Sequence, residues 1–310
     1  MNLRRLTQST IYSALLLLLA VSGPQLRAAQ TVPFKLAQDA LILVPVTANG
    51  QGPFYFLLDT GADVSIVDTT LARKLALPTL QSAHLITMNG SQTVGVSRLA
   101  SLSIGDVQVN GLPVFEKDLS CLHRINGKIA GVLGQDFLSA FNYLLDYKAR
   151  SLRFEEKDDL RDELDGDEVP IQSGENRMII AAEAEFRGHA DVHLLLDSGT
   201  NLPVLFGPVS NQLHCLEDQQ GFALSSTGET PIRIGEVDLT VASHVFRDVL
   251  ISLATDTPPQ PVGDGLLPMS LFDAIYVNNH QSFVMLNPHT RQPTSQATAG
   301  GSQKTIHADR

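Results

Sequence analysis

Two short segments with one shared pattern carry the residues best suited to chemistry: two apolar residues, Asp, a hydroxyl residue and Gly. They occupy positions 57–61 and 195–199, so Asp59 and Asp197 are 138 residues apart. Two carboxyl groups held close together cannot both ionise easily, so they share one proton. The ionised carboxylate can activate a water molecule while its protonated partner donates to a carbonyl oxygen. The pattern therefore predicts hydrolysis by an activated water, with no metal and no covalent intermediate.

Each segment also predicts the local structure that would present its carboxyl group. The apolar pair before each Asp indicates a buried strand, so the Asp would leave the strand at the edge of a core. Gly61 and Gly199 permit a tight turn where a side chain would clash. Thr60 and Ser198 place a hydroxyl group beside each carboxyl group. We therefore expect two equivalent loops, each presenting one Asp.

A second motif repeats in the same order. Gly-Val-Leu-Gly-Gln-Asp-Phe-Leu at 131–138 returns as Gly-Leu-Leu-Pro-Met-Ser-Leu-Phe at 265–272, a displacement of 134 residues. A strand–turn–strand pattern also precedes each Asp, over 41–58 and 178–196. Two motifs in the same order, at nearly the same separation, indicate two copies of one β unit.

The rest of the sequence has the pattern of a β protein. Alternating and β-branched runs are separated by Gly, Asn and Pro turns, and they predict hairpins over 41–58, 85–98 and 102–109. One short helix is predicted at 69–75. With the internal repeat, this pattern predicts an all-β fold of two similar β-barrel-like lobes, with the site in the cleft between them.

Composition divides the chain into five parts. Residues 1–29 combine a basic start, a short apolar run and small residues at the end, which is typical of a secretory signal peptide; an uncleaved membrane anchor is the alternative. An N-terminal lobe at 30–154 and a C-terminal lobe at 169–289 follow, joined by an acidic linker at 155–168 that we expect to be solvated. Residues 290–310 are rich in Thr, Ser, Gln, Ala and Gly and predict a disordered tail.

The charge of the chain limits its partners. The net charge is −11, and losing the three Arg of residues 1–29 would move it to −14. Such an acidic protein should not bind nucleic acid or anionic lipid by charge alone. We therefore expect no nucleic-acid partner and no membrane partner after signal removal. The signal peptide predicts a periplasmic or secreted location.

Cys121 and Cys215 are the two cysteines of the chain. They leave both a disulfide and two free thiols open.

Other catalytic patterns are missing from the sequence. His189 and His193 flank the entrance of a predicted strand without the Glu of a helical zinc motif, so they indicate surface histidines. No Gly-x-Ser-x-Gly elbow and no phosphate-binding Gly-x-x-x-x-Gly-Lys-Ser/Thr loop occurs. The predicted site therefore uses neither a cofactor nor a metal.

The segments around Asp59 and Gly131 resemble those of retropepsin-like aspartic proteases, and the whole chain resembles two-lobe, single-chain bacterial aspartyl proteases over about residues 35–290. The resemblance implies acid-protease lobes and endopeptidase activity on an extended peptide or protein substrate. It also implies that Thr60 and Ser198 brace the two active-site loops by hydrogen bonds. A monomer is expected, because the second lobe would replace the second subunit of viral relatives.

The resemblance also implies residues that bind substrate. In this family a β-hairpin flap covers the substrate, and the candidate here is 86–96, with Met88, Asn89 and Gly90 at its tip. The carboxylate of Asp63 is expected to hold the substrate backbone. Asn201 occupies the matching position in the second lobe, so substrate binding should be asymmetric.

Three departures from the repeat carry further expectations. Pro268 stands where the first lobe has Gly134. The interval from the Asp to the next landmark glycine is 46 residues in the first lobe, ending at Gly105, and 38 in the second, ending at Gly235, which predicts a stunted second flap or none. Thr200 replaces Ala62; a hydroxyl donating to Asp197 would leave that carboxyl ionised and make Asp59 the proton carrier.

Two readings from other functional classes stay open. The same fold without the chemistry would be an exported peptide-binding pseudoprotease, which would not need both Asp and both neighbouring hydroxyl groups. A structural or envelope-assembly protein could use exposed β edges to pair with partners.

Overall fold

The computed structural model describes residues 31–87, 90–155, 159–174, 177–185, 188–207, 209, 219–225, 228–254 and 263–291. Strands dominate the first half of this described chain. Its strands are β1 (Thr31–Pro33), β2 (Lys35–Ala37), β3 (Leu41–Ala48), β4 (Gln51–Leu58), β5 (Ile66–Asp68), β6 (Gln81–Thr87), β7 (Gly90–Ile104), β8 (Val107–Lys117), β9 (Ile129–Leu133), β10 (Asn142–Asp146) and β11 (Ser151–Glu155). Its helices are α1 (Thr69–Lys74), the 3-10 turn Leu122–Arg124 and α2 (Gln135–Leu138).

The second half of the described chain repeats this series after a short helix, α3 (Asp159–Glu163). Its strands are β12 (Leu164–Asp165), β13 (Glu168–Pro170), β14 (Gln172–Gly174), β15 (Arg177–Glu185), β16 (His189–Asp197), β17 (Val204–Leu205), β18 (Gln219–Ser225), β19 (Gly228–Val241), β20 (His244–Leu253), β21 (Gly265–Pro268), β22 (Ala274–Asn278), β23 (Phe283–Leu286) and β24 (His289–Thr290). A 3-10 turn over Met269–Leu271 takes the place of α2.

Two eight-stranded sheets have the same topology. The strand order is β2-β3-β4-β9-β5-β8-β7-β6 in the first lobe and β14-β15-β16-β21-β17-β20-β19-β18 in the second. Additional pairing of β3 with β7, and of β15 with β19, closes six strands of each sheet into a barrel. The prediction of an all-β fold with two similar barrel-like lobes is confirmed.

A third sheet joins the two lobes. Its order is β1-β11-β10-β22-β23-β13, so the first lobe supplies one half and the second lobe the other. The two halves meet where β10 and β22 pair antiparallel, from Tyr143↔Val277 to Asp146↔Ala274. Tyr143 and Tyr276, the largest fully buried side chains, lie on these two strands. The lobes therefore share a continuous base of hydrogen-bonded strands.

The burial of each strand follows its residue pattern. In β15, buried Met178, Ile180, Ala182 and Ala184 alternate with more exposed residues, as expected for a strand with one face on a core. In β16 the alternation ends, and residues 194–196 are all buried. The same residues pair in parallel with β21, and a strand covered on both faces favours a continuous apolar run. The apolar pair before Asp197 therefore does bury the end of the strand.

Local turn and capping signals explain two further predicted elements. Asn49 and Gly50 have φ angles of 50° and 72°, the left-handed conformation that a two-residue hairpin turn requires. The predicted helix at 69–75 is confirmed as α1, which begins after Asp68. The Asp68 carboxylate accepts a hydrogen bond from the Thr70 backbone at 2.7 Å and thereby caps the helix.

The acidic linker is more ordered than expected. Leu160 and Leu164 are buried and pack in one cluster with Tyr276, Phe283 and Met285 of the second lobe. β12 pairs with β24, so Thr290, predicted to begin the tail, lies in a strand. The prediction of a solvated linker is therefore wrong for these two leucines, because burying their side chains is more favourable than leaving them in water.

The prediction of a stunted second flap is also wrong. β6 pairs with β7 from Gln81↔Val96 to Thr87↔Gly90, and β18 pairs with β19 from Gln219↔Ile234 to Ser225↔Gly228, over seven residues in each case. Gly235 does not mark a turn as Gly105 does: it lies inside β19, opposite Ile251. The turn after β19 instead uses Ala242 at a φ of 52°, so the glycine was a misleading landmark.

Several expectations fall outside the described residues. They concern the signal peptide, the tail beyond residue 291, Met88, Asn89 and Cys215. Cys121 is half-buried and carries a free thiol. No helix within the described ranges is both long and apolar enough to cross a membrane.

Candidate active site

Asp59 and Asp197 leave equivalent strands of the two barrels. β4 pairs in parallel with β9 up to Leu58↔Leu133, and the Asp59 backbone N–H donates to the Leu133 carbonyl at 3.0 Å. In the second lobe β16 pairs in parallel with β21, ending at Asp197↔Pro268. Both aspartates therefore stand where a buried strand passes into a loop. Pro268 continues β21 at this point, although Gly134 stands there in the first lobe.

Thr60 and Ser198 join the two loops by reciprocal hydrogen bonds. The Thr60 backbone N–H donates to the Ser198 hydroxyl oxygen at 3.1 Å, and the Ser198 N–H donates to the Thr60 hydroxyl oxygen at 3.0 Å. The Thr60 hydroxyl in turn donates to the Leu196 carbonyl, and the Ser198 hydroxyl to the Leu58 carbonyl, each at 2.8 Å. Both hydroxyl residues are 1% exposed, so water cannot replace these bonds.

The glycine of each loop lies against the carboxyl group of the opposite lobe. A Cβ atom added to Gly61 would lie 2.7 Å from Cγ of Asp197, and one added to Gly199 would lie 2.5 Å from Cγ of Asp59. Real Cβ atoms essentially never approach another heavy atom so closely. The two glycines therefore allow the loops to meet closely enough for the carboxyl groups to interact.

The environment of the carboxyl pair favours a shared proton. Burial raises the pKa of Asp59, an effect partly offset by hydrogen bonds from Asp197 and from the Gly61 and Ala62 backbone. Burial and then the charge of Asp59 raise the pKa of Asp197 well above its ordinary value, although the Gly199 N–H donates to it at 2.7 Å. Asp197 is 7% exposed and Asp59 is half-buried, so Asp197 is the better proton carrier.

The structure removes the basis for the expected roles of the two carboxyl groups. The earlier expectation required the Thr200 hydroxyl to donate to Asp197. Instead that hydroxyl donates to the Leu202 carbonyl at 2.9 Å, within its own loop. Without this donor, burial and the charge of Asp59 keep the pKa of Asp197 raised, which favours Asp197 as the proton carrier.

The two residues expected to hold the substrate backbone instead contact the opposite lobe. Arg177, at the start of β15, donates to both carboxylate oxygens of Asp63, from Nε at 2.8 Å and from Nη2 at 2.5 Å. In the mirrored position Asn201 donates to the Gln38 side chain at 3.3 Å. The contacts between the lobes are therefore an ion pair on one side and a neutral hydrogen bond on the other, whereas asymmetric substrate binding stays a prediction. Arg177 and Gln38 gave no sequence signal, because their partners are remote in the chain.

The described part of the flap positions Gly90 at the end of the hairpin. Gly90 begins β7 opposite Thr87 at a φ of 125°, and nothing lies within 4 Å of the place where its Cβ would be. Leu85, on β6 of the same hairpin, packs partly buried on an apolar cluster that also contacts Ala62 beside Asp59. The hairpin therefore reaches the Asp59 loop through apolar side chains.

The two histidines set aside in the sequence lie away from this pair. The side chains of His189 and His193 are about half exposed, and His189 contacts Asp191 at 3.0 Å. Among the residues that the structure describes, no group of three or more His, Cys, Asp or Glu side chains is placed to bind a metal ion.

The geometry can be compared with known families. Residues 44–137 match the model of the aspartyl protease family. The matched aspartyl protease segment contains Asp59, its loop and the hairpin of β6 and β7, and it ends within α2. The curated proteins include no match to the chain.

The aspartyl protease match ends before the second loop. Asp197 is brought to Asp59 by the repeat of the same strand–loop unit, and its loop has the same bracing bonds. Two carboxyl groups held this close together with raised pKa values can activate a water as base and protonate a carbonyl oxygen as acid.

Proposed function

We propose that this protein is an aspartic endopeptidase that hydrolyses peptide bonds with a water molecule activated between Asp59 and Asp197. The observation that carries the proposal is the contact of each carboxyl group with the glycine of the opposite loop. This contact requires both lobes and both glycines, and it holds two acids where only one can ionise easily. The similarity of residues 44–137 to aspartyl proteases supports the same activity.

The assignment of the proton gives each carboxyl group one role. Ionised Asp59 takes a proton from the water, whose oxygen bonds to the scissile carbonyl carbon, while Asp197 donates its proton to the carbonyl oxygen. The resulting tetrahedral diol collapses when its C–N bond breaks and the proton held by Asp59 passes to the leaving nitrogen. One diol hydroxyl returns its proton to Asp197, which restores the starting state.

The setting of this activity is part of the proposal. We infer that the protein is a two-lobe, single-chain enzyme of the bacterial type, exported to the periplasm or secreted after loss of residues 1–29. One chain supplies both aspartates, so a monomer suffices, and its substrate is an extended peptide or an unfolded protein segment. The acidic charge of −11 disfavours nucleic acid as a partner.

Cleavage of a diverse peptide library by the protein lacking residues 1–29 tests the proposal between about pH 3 and pH 7. Asp59→Asn and Asp197→Asn should each abolish cleavage, because one remaining carboxyl group cannot serve as both acid and base. Asp191→Asn is the matched control, since its side chain is 82% exposed and lies in the same lobe as Asp197. A peptide with a secondary alcohol in place of the scissile carbonyl should inhibit the wild type.

The outcomes separate the functional classes. Loss of activity in only one of the two Asn variants would contradict the paired mechanism. A wild type that binds the alcohol-containing peptide but cleaves no member of the library would replace the proposal with the peptide-binding pseudoprotease.

A further inference from the structure

A second polar network lies behind the Asp59 loop and centres on Ser65. Ser65 is fully buried, and both its backbone N–H and its hydroxyl donate to the Asp136 carboxylate, at 2.9 Å and 2.6 Å. The same hydroxyl oxygen accepts a hydrogen bond from the Gly134 N–H at 3.0 Å. One serine thus connects the loop after Asp59 to the start of α2 through three hydrogen bonds.

The backbone of α2 continues this connection toward the catalytic residues. The Gln135 N–H donates to the Ala62 carbonyl at 2.8 Å, and the Asp136 N–H donates to the Asp63 carbonyl at 3.2 Å. The Gln135 side chain donates to the Thr60 carbonyl at 3.1 Å. Residues 60–65 are therefore held along their length by the segment 134–136.

The fit between these segments is tight. A Cβ atom on Gly134 would lie 2.8 Å from the Ala62 carbonyl oxygen and 2.9 Å from the Val64 carbonyl carbon. The loop therefore has no room to slide over the start of α2, and the Asp136 carboxyl group is the acceptor of this contact. Burial raises the pKa of Asp136, and the hydrogen bonds from Ser65 partly offset that rise. In its ionised form this acceptor makes stronger hydrogen bonds than a neutral group would.

The equivalent residues of the second lobe cannot form this hydrogen-bond network. The repeat puts Pro203 at the position of Ser65 and Ser270 at the position of Asp136. Pro203 has neither a backbone N–H nor a hydroxyl group, so it cannot donate to Ser270. Its carbonyl accepts from the Ser252 N–H at 2.8 Å, just as the Ser65 carbonyl accepts from the Phe115 N–H at 3.0 Å, so the two lobes differ only in the side-chain and N–H donors. The position of Gln135 is taken by Met269, whose sulfur lies 3.6 Å from the Thr60 hydroxyl.

We propose that Asp136 is a positioning residue that holds the Asp59 loop in its reactive conformation through Ser65, whereas the second lobe fixes the Asp197 loop by proline and apolar packing. Only the kinetic consequence of this inference rests on the proposed endopeptidase function. Asp136 does not reach the carboxyl pair; it acts on the loop that carries Asp59 and Asp63.

Kinetics of the purified protein with one cleaved peptide test the inference. Asp136→Asn keeps the side-chain volume but replaces an acceptor by a donor facing the Ser65 hydroxyl, so kcat should fall about 10- to 100-fold while KM changes less than about threefold. The kcat of Ser65→Ala should fall by the same factor. Ser65→Thr keeps the hydroxyl group and should retain most of the wild-type kcat. Ser270→Ala is the matched control in the second lobe and should retain wild-type kcat.

Amide hydrogen exchange gives a readout that does not depend on cleavage. In Asp136→Asn, the amides of 60–65 should exchange at least about tenfold faster than in the wild type, while those of 198–202 stay unchanged. If no peptide is cleaved, the proposed function fails and the exchange comparison still decides the role of Asp136. Unchanged exchange at 60–65, or a KM increase with constant kcat, would overturn the inference.

Discussion

Thr60 and Ser198 each accept a hydrogen bond from the backbone N–H of the other, although they lie on different lobes. Each hydroxyl also donates to a buried carbonyl of the opposite strand, so a single side chain satisfies two backbone groups. Such groups lose much more when left unpaired in the interior than a surface hydrogen bond contributes. This hydrogen-bonded brace directly joins the two loops that carry the carboxyl pair.

Removal of either hydroxyl should therefore destabilise the whole protein. Thr60→Ala leaves the Leu196 carbonyl and the Ser198 N–H unpaired, and we expect it to lower the free energy of unfolding by about 1–3 kcal/mol in urea titrations. Thr60→Ser keeps the hydroxyl and should cost less than half as much. Equal losses for Ala and Ser would show that the methyl group of Thr60, rather than its hydrogen bonds, stabilises the contact.

The close approach of Gly61 to Asp197 makes a second prediction. Gly61→Ala would place a methyl group where the Asp197 carboxyl group lies, so the loops must separate and kcat should fall by about 100-fold or more. Gly127→Ala is the matched control, because no atom lies within 4 Å of its Cβ position. A Gly61→Ala variant with wild-type kcat would contradict the close contact of the two loops.

The raised pKa of Asp197 predicts how stability depends on pH. A carboxyl group whose pKa is higher in the folded state binds more protons when folded, so stability falls as pH rises from its unfolded to its folded pKa. Asp197→Asn removes this penalty and should raise the free energy of unfolding by roughly 1 kcal/mol or more at pH 7, with little change near pH 3. Urea unfolding of the wild type and the variant at the two pH values measures these changes in the free energy of unfolding. A loss of stability at pH 7 would mean that the ionised form of Asp197 is favoured by the fold.

The ion pair between Arg177 and Asp63 should contribute modestly to the contact between lobes. Their side chains are 19% and 43% exposed, so water and salt screen the attraction, and Arg177→Met should cost about 1 kcal/mol at low salt and less at high salt. Arg247→Met breaks the more exposed pair with Asp238 in the second lobe and should cost almost nothing. A double-mutant cycle with Asp63→Asn measures the coupling free energy between the two side chains. A coupling free energy near zero would contradict the prediction that this ion pair stabilises the contact between the lobes.

The sequence predicts those features that are set locally or by repetition. The hairpin at Asn49 and Gly50 and the helix after Asp68 follow from turn and capping residues, and the repeat indicates the two barrels. The partnership of Arg177 with Asp63 follows from none of these, because it depends on how the lobes are placed on one another. The proton distribution does not follow from the repeat either, because the Thr200 hydroxyl donates to a carbonyl of its own loop rather than to Asp197.

The length of the second flap does not follow from the sequence for a different reason. The interval of 38 residues predicts the flap length only if a glycine marks the turn, yet Gly235 lies within β19 and Ala242 makes the turn in the left-handed conformation. Residues other than glycine adopt that conformation at some cost, so composition alone does not locate such a turn.

The sheet shared by the two lobes has a consequence for how the protein unfolds. β10 pairs with β22 across the boundary between the lobes, and the leucines of α3 and β12 are buried in one cluster with residues of β22 and β23. Neither lobe therefore contains a full set of partners for its own edge, and melting one exposes unpaired strands and apolar side chains of the other. The two lobes should lose their structure in one cooperative transition, as a single folding unit rather than as two independent domains.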